Sequence, residues 1–104
     1  MKDKTVLLVD DEKKVLYLLS DALEEQGFSV KSTTSPAEAL KIVQPGTIDA
    51  VVLDLVMPEI DGIEVLQKIK KMKPGLPVIM LSGHGSIPRA VESVKLGAYD
   101  FLEK

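Results

Sequence analysis

At four places in this 104-residue chain an apolar run gives way to polar residues. Val6–Val9 leads into Asp10, Asp11 and Glu12, and Ala50–Leu53 leads into Asp54. Val78–Leu81 leads into Ser82 and Gly83, and the weaker run Tyr99–Leu102 leads into Glu103 and Lys104. Asp54 is the most demanding of these, because a lone carboxylate inside "AVVLDLVMPEIDG" is costly to bury without a partner. Brought together, Asp10, Asp11 and Asp54 repel one another. At about 5 Å and an effective dielectric of about 20, each pair costs roughly 3 kcal/mol. Such a cluster needs a cation or a raised pKa. Mg2+ suits it, since that ion takes one or two carboxylates together with waters and a phosphate. The hydroxyl of Ser82, the N–H of Gly83 and the ammonium of Lys104 have the complementary chemistry, that of holding an anion such as a phosphoryl group. Taken singly each residue has a plainer use: Asp11 as a helix cap, Ser82 as turn chemistry, Lys104 as a solvated end. Asp54 has none, because it closes a run that reads as a buried strand.

These residues meet only if the chain folds so as to align the ends of their runs. The three strong runs, Val6–Val9, Ala50–Leu53 and Val78–Leu81, show no polar alternation, as expected of strands buried on both faces of a parallel sheet. Ser29–Thr33 and Tyr99–Leu102 are weaker strands. Helical patterns lie between them. Lys13–Gln26 carries a broad apolar face and is followed by Gly27, at the position of a left-handed C-terminal cap. Ser35–Glu38 ("SPAE") reads as a capping box with Pro at the first helical position. Asp61–Glu64 ("DGIE") opens a third helix, and "SIPRAVESVKLG" supplies a fourth that ends at Gly97. The order βαβαβαβαβ predicts a doubly wound α/β fold, with a five-stranded parallel sheet in the flavodoxin-like order 2-1-3-4-5. In that order the carboxyl ends of strands one, three, four and five share one edge, and ligands bind there at the switch between strands one and three.

Composition narrows the function. The chain has 13 Lys+Arg against 16 Asp+Glu, and its only basic cluster is "KIKKMK", Lys68–Lys73. Clustered cations of that kind suit the wet end of a helix, so no direct nucleic-acid contact is expected. With no cysteine, disulfides and thiolate metal sites are excluded. The N-terminal apolar run is too short for a signal peptide or membrane span, and a soluble cytoplasmic domain is expected.

The stretches "VLLVDDE", "VVLDLVMPEIDG", "VIMLSGHG" and "GAYDFLEK" together resemble the receiver domain of two-component response regulators, from about Thr5 to Lys104. That resemblance implies Asp54 as phosphoacceptor, and Asp10, Asp11, Asp54 and the backbone carbonyl of Val56 as ligands of Mg2+. It implies Ser82 as switch hydroxyl, Gly83 as a phosphoryl contact, Lys104 as phosphate-binding lysine and Phe101 as switch aromatic. Pro58 and Gly62 match the loop after the acceptor. In receivers the positions matching Val56 and His84 influence the lifetime of the phosphoryl group. His84, the only histidine, also reads simply as an exposed loop residue. The implied partners are a sensor histidine kinase and a downstream effector domain, with a possible homodimer. The segment "SGHGSIPRAVESVKLGAYDFLEK" further resembles receivers of nitrogen-regulator-type transcription activators.

Receivers usually continue into a fifth helix. The present chain, residues 1–104, is therefore expected to be one receiver domain from the N-terminal part of a longer protein. Without that helix, apolar surface from Val6, Leu8 and the last strand should be exposed. Two other functions remain open at this point. One is an aspartyl-nucleophile phosphatase or phosphotransferase; such haloacid-dehalogenase-like enzymes carry a second Asp where Val56 stands. The other is a receiver-like interaction module that is never phosphorylated.

Overall fold

The computed structural model describes residues 4–58, 60–83 and 86–104. The elements run β1 (Thr5–Val9), α1 (Lys13–Glu25), β2 (Ser29–Thr33), α2 (Pro36–Val43), β3 (Ala50–Asp54), α3 (Gly62–Met72), β4 (Val78–Ser82), α4 (Ile87–Lys95) and β5 (Asp100–Glu103). All strand pairings are parallel and the sheet order is β2-β1-β3-β4-β5. The order expected from the sequence is thus the one observed. The last strand lies one residue beyond the apolar run that announced it, because Tyr99 turns out to solvent ahead of the first paired residue, Asp100.

Side chains of a strand alternate between the two faces, and this divides the core. Leu7, Val9, Val51, Leu53, Val78 and Met80 pack under α2, α3 and α4 with Val43, Val65, Leu66, Ile69 and Ala90. Val6, Leu8 and Val52 pack under α1 with Leu16, Leu19 and Leu23. The expectation that Val6 and Leu8 lie exposed is therefore wrong: both are buried. Positions 16, 19 and 23 recur on one face of α1, and that single helix closes over β1. The apolar surface that does remain open lies further along the same face. Leu18 and Leu102 are exposed beside Val15, Leu19 and Leu81.

The helix ends explain the short connections. Gly27 follows α1 with φ +96°, a backbone that a glycine adopts without a Cβ penalty. Ser35 Oγ accepts from Glu38 N at 3.2 Å at the start of α2, and Asp61 Oδ1 accepts from Ile63 N at 3.0 Å at the start of α3. Asp61 also pairs with Arg89 of α4, so one carboxylate joins the β3–α3 loop to the next helix. Among the described residues no helix is long and apolar enough to cross a membrane.

Candidate functional site

Strand register brings the separate polar residues to one edge. Val9 is level with Leu53, so Asp10 and Asp54 leave neighbouring strands side by side. Asp54 is level with Leu81, and Ser82 with Glu103. The backbone N–H of Lys104 donates to Ser82 O at 2.8 Å, which continues the ladder and carries the lysine over the site.

The acids arrive with unequal surroundings. Asp10 and Asp54 are 1% and 2% exposed, whereas Asp11 and Glu12 face solvent. Asp10 Oδ1 accepts from Glu12 N at 2.9 Å, so Asp10, not Asp11, ties down the entry to α1. Glu12 holds the helix N-cap position without a side-chain cap bond. The plain reading of Asp11 as a cap therefore fails, and its carboxylate is left for the crevice.

Lys104 is the common counter-charge. Its Nζ lies 3.0 Å from Asp10 Oδ2, 3.3 Å from Asp54 Oδ1 and 2.9 Å from Glu12 Oε1. Burial alone would lower its pKa, but the hydrogen bonds to Glu12 and Asp10 and the charges of Asp54 and Asp10 outweigh that and raise it. Lys104 is thus a fixed cation.

Asp54 shifts the other way for a carboxylate. Burial pushes its pKa from 3.8 up to about 7; the Asp11 carboxyl within hydrogen-bonding reach and the Asp10 charge add to this, and Lys104 pulls partly back. One ammonium does not satisfy this many carboxylate oxygens. Among the described residues, buried Asp10 Oδ2 and Asp54 Oδ2 accept no well-aligned hydrogen bond, although Lys104 touches the former as an ion contact. Two buried carboxylate oxygens without an aligned hydrogen bond fit a hard divalent cation. Ligand atoms of Asp10, Asp11 and Glu12 also lie within 4.8 Å of one another. Asp54 is outside that trio, and it joins the site through its contact with Asp11 and the charge of Asp10.

The remaining expected residues sort by position. Ser82 is fully buried and Gly83 half-buried at the end of β4. Phe101 is level with Met80 on the α4 face of the sheet, the face that Ser82 shares two residues on, and it is half-buried against the main core. Val56 is 63% exposed beside the site, and its N–H reaches Asp54 Oδ1 at 3.4 Å. His84 lies outside the described residues. Two residues near the site had no role in the sequence reading. Glu12 grips Lys104, a pairing across 92 positions that no local pattern reveals. Ser86 contacts Ser82, and only its place just before a helical pattern marked it.

A doubly wound parallel sheet with buried acids, a hydroxyl and a lysine at one edge defines a receiver. The chain belongs to the response regulator receiver domain family, whose model matches residues 6–104. Its relatives place it more narrowly. It is 44% identical over 106 residues to an NtrX-like response regulator of Rickettsia conorii, covering 100% of this chain and 22% of that protein. It is 43% identical over 103 residues to the transcriptional regulatory protein GlrR of Escherichia coli K12, covering 99% of this chain and 23% of that protein. The chain thus spans less than a quarter of the length of these relatives. Among solved structures, the receiver domain of NtrX from Brucella abortus superposes with a TM-score of 0.91 at 38% identity, covering 95% of this chain and 84% of that one. A response regulator receiver domain protein from Clostridium thermocellum does so with a TM-score of 0.92 at 36% identity, covering 97% of this chain and 82% of that one.

Proposed function

We propose that this chain is the phosphoacceptor switch of a two-component pathway, with Asp54 as the acceptor. The observation that carries the reading is the buried Asp54 carboxylate set between Lys104 and the Asp10–Asp11 pair, with one oxygen left without a hydrogen bond. An Asp54 oxygen attacks the phosphorus of a phosphohistidine on a sensor kinase. The P–N bond breaks, the imidazole nitrogen keeps the electron pair and takes a proton, and Asp54 becomes an acyl phosphate. Mg2+ held by Asp10, Asp11, Asp54 and the Val56 carbonyl would neutralise charge spread over the phosphoryl oxygens. Lys104 contributes its permanent charge to the same oxygens. Gly83 N–H and the Ser82 hydroxyl supply donors from the β4 edge. As Ser82 turns inward, Phe101 takes the space it leaves, and a local change of charge alters the surface around α4 and β5.

The lengths and names of the relatives support a place as the receiver of a longer regulator of transcription; that the receiver stands at its N-terminal end and that the regulator is cytoplasmic are part of the proposal. In that setting the partners are the kinase, the effector domain and a second copy of the chain, and the chain turns over no substrate but its own phosphoryl group.

Mass spectrometry after incubation with Mg2+ and acetyl phosphate tests the reading. A single phosphate adduct supports it. No adduct, or continuous release of phosphate from added phosphomonoesters, overturns it. Val56 is proposed to bear on the lifetime of the adduct, because it is two residues past Asp54, its side chain is exposed and apolar, and its N–H reaches Asp54 Oδ1. Val56→Asn, which offers polar groups to an attacking water, is expected to speed loss of the phosphoryl group about tenfold, or roughly 1.4 kcal/mol of barrier. An unchanged decay of the adduct would remove Val56 from this role.

A further inference from the structure

We propose that Ser86 is the acceptor that holds the Ser82 hydroxyl away from Asp54 in the unphosphorylated chain, and so sets how readily the switch turns. Ser82 Oγ and Ser86 Oγ are 2.8 Å apart. Ser86 Oγ also lies 2.7 Å from Gly83 O and donates to it. A hydroxyl carries one proton. With the Ser86 proton on the Gly83 carbonyl, the short contact between the two serines is made by the Ser82 proton. Among the described residues, the other acceptor bonded by Ser82, Gly83 O, is further away at 3.3 Å.

A phosphoryl oxygen on Asp54 would call for that same Ser82 proton. The bond to Ser86 and the bond to the phosphoryl group are therefore alternatives. The exchange is favoured once an anion is present, because a charge-assisted hydrogen bond is stronger than a neutral one. It also reaches α4. Ser86 is the N-cap residue of that helix, and its side chain makes no cap bond there. The second helical residue is Pro88, which has no N–H, so Arg89 N is the donor that an N-cap serine ordinarily serves. When Ser82 withdraws, the Ser86 oxygen is released towards that donor. Arg89 is also the residue paired with Asp61, so the start of α4 feels the change at its N-cap and at its ion pair together. Ser86 is in this sense a positioning residue, acting through Ser82.

The proposal rests on Asp54 being the phosphoacceptor, and the test separates the two ideas. The chain is titrated with beryllofluoride and Mg2+ and followed by backbone NMR of β4 and α4, with side-chain couplings of Ser82 measured before ligand is added. Ser86→Ala is expected to lower the half-saturating beryllofluoride concentration about fivefold, the scale of one neutral hydrogen bond. Without ligand it should shift the Ser82 rotamer towards the one seen with beryllofluoride. Ser86→Thr, which keeps the hydroxyl, should behave as wild type and shows that α4 still forms. In a Ser82→Ala background, Ser86→Ala should change nothing further. If wild type responds and Ser86→Ala matches it, this proposal alone falls. It falls also if the effect of Ser86→Ala persists without the Ser82 hydroxyl, since Ser86 would then act by another route. If wild type itself takes up no beryllofluoride, the phosphoacceptor reading fails and takes this proposal with it.

Discussion

Asn in place of Asp54 is expected to abolish the phosphate adduct and, at pH 8 without metal, to make the fold more stable than wild type. The first effect follows from loss of the nucleophilic oxygen. The second follows from the pKa. Asp54 has a folded pKa of about 7 against 3.8 for an ordinary Asp, with burial as the leading cause. Between those two pH values the folded chain keeps a proton that the unfolded chain has released. Stability therefore falls as pH rises from about 4 to about 7, and stays low above that. At 1.36 kcal/mol per pH unit the whole effect is roughly 4 kcal/mol. Asn is neutral at every pH, so its profile lacks this fall. Its advantage at pH 8 should be about 2–4 kcal/mol, or about 10 °C or more in Tm for a domain of this size. Adding Mg2+ should stabilise wild type at pH 8 more than the Asn variant, because Asn removes one of the carboxylates whose repulsion the cation relieves. Thermal unfolding at pH 5 and pH 8, each with and without Mg2+, checks all of this. Equal stability differences at the two pH values would show that ionised Asp54 is not strained.

Gly62→Ala is expected to be the most damaging Gly→Ala change among the described residues. Gly62 opens α3 beneath the end of β3, and its N–H donates to Leu55 O at 2.8 Å. A Cβ there would collide with the backbone carbonyl of Asp54 and lie 2.6 Å from Leu55 O and 2.7 Å from Leu55 Cα. These are main-chain atoms of the segment that carries the acceptor, so no side chain can swing away to relieve the clash. The cost should exceed about 3 kcal/mol, and the displaced Asp54 should take up phosphate more slowly in whatever fraction folds. Gly27→Ala is the control. Its Cβ meets nothing within 4 Å, and only the φ of +96° is strained, so a cost of about 1 kcal/mol is expected. Urea unfolding of both variants decides the matter. Similar losses for the two would mean that α3 can shift away from β3 freely.

Local chemistry made much of this molecule legible before any coordinates. Unbroken apolar runs at Val6–Val9, Ala50–Leu53 and Val78–Leu81 announced buried parallel strands, because runs so short, alternating with amphipathic helical stretches, suit strands covered on both faces. Gly27, Ser35 and Asp61 marked helix ends through their own backbone and side-chain bonds. Once the strands were taken as parallel, their carboxyl ends had to share an edge, and Asp10, Asp54, Ser82 and Lys104 met there. The misjudged exposure of Val6 and Leu8 had a different source. How much of a sheet one amphipathic helix covers depends on where it lies, and periodicity carries no information about that.

By itself, then, the sequence determined the α/β alternation, the strand order and the gathering of acids, hydroxyl and lysine, because these follow from periodicity and strand direction. Only the tertiary structure decided which partner each polar atom takes: Glu12 on Lys104, Ser86 on Ser82, Arg89 on Asp61. It alone showed that Asp54 is buried deeply enough for its pKa to reach about 7. The reason is that hydrogen bonds and desolvation act over a few ångströms between groups that can be far apart along the chain.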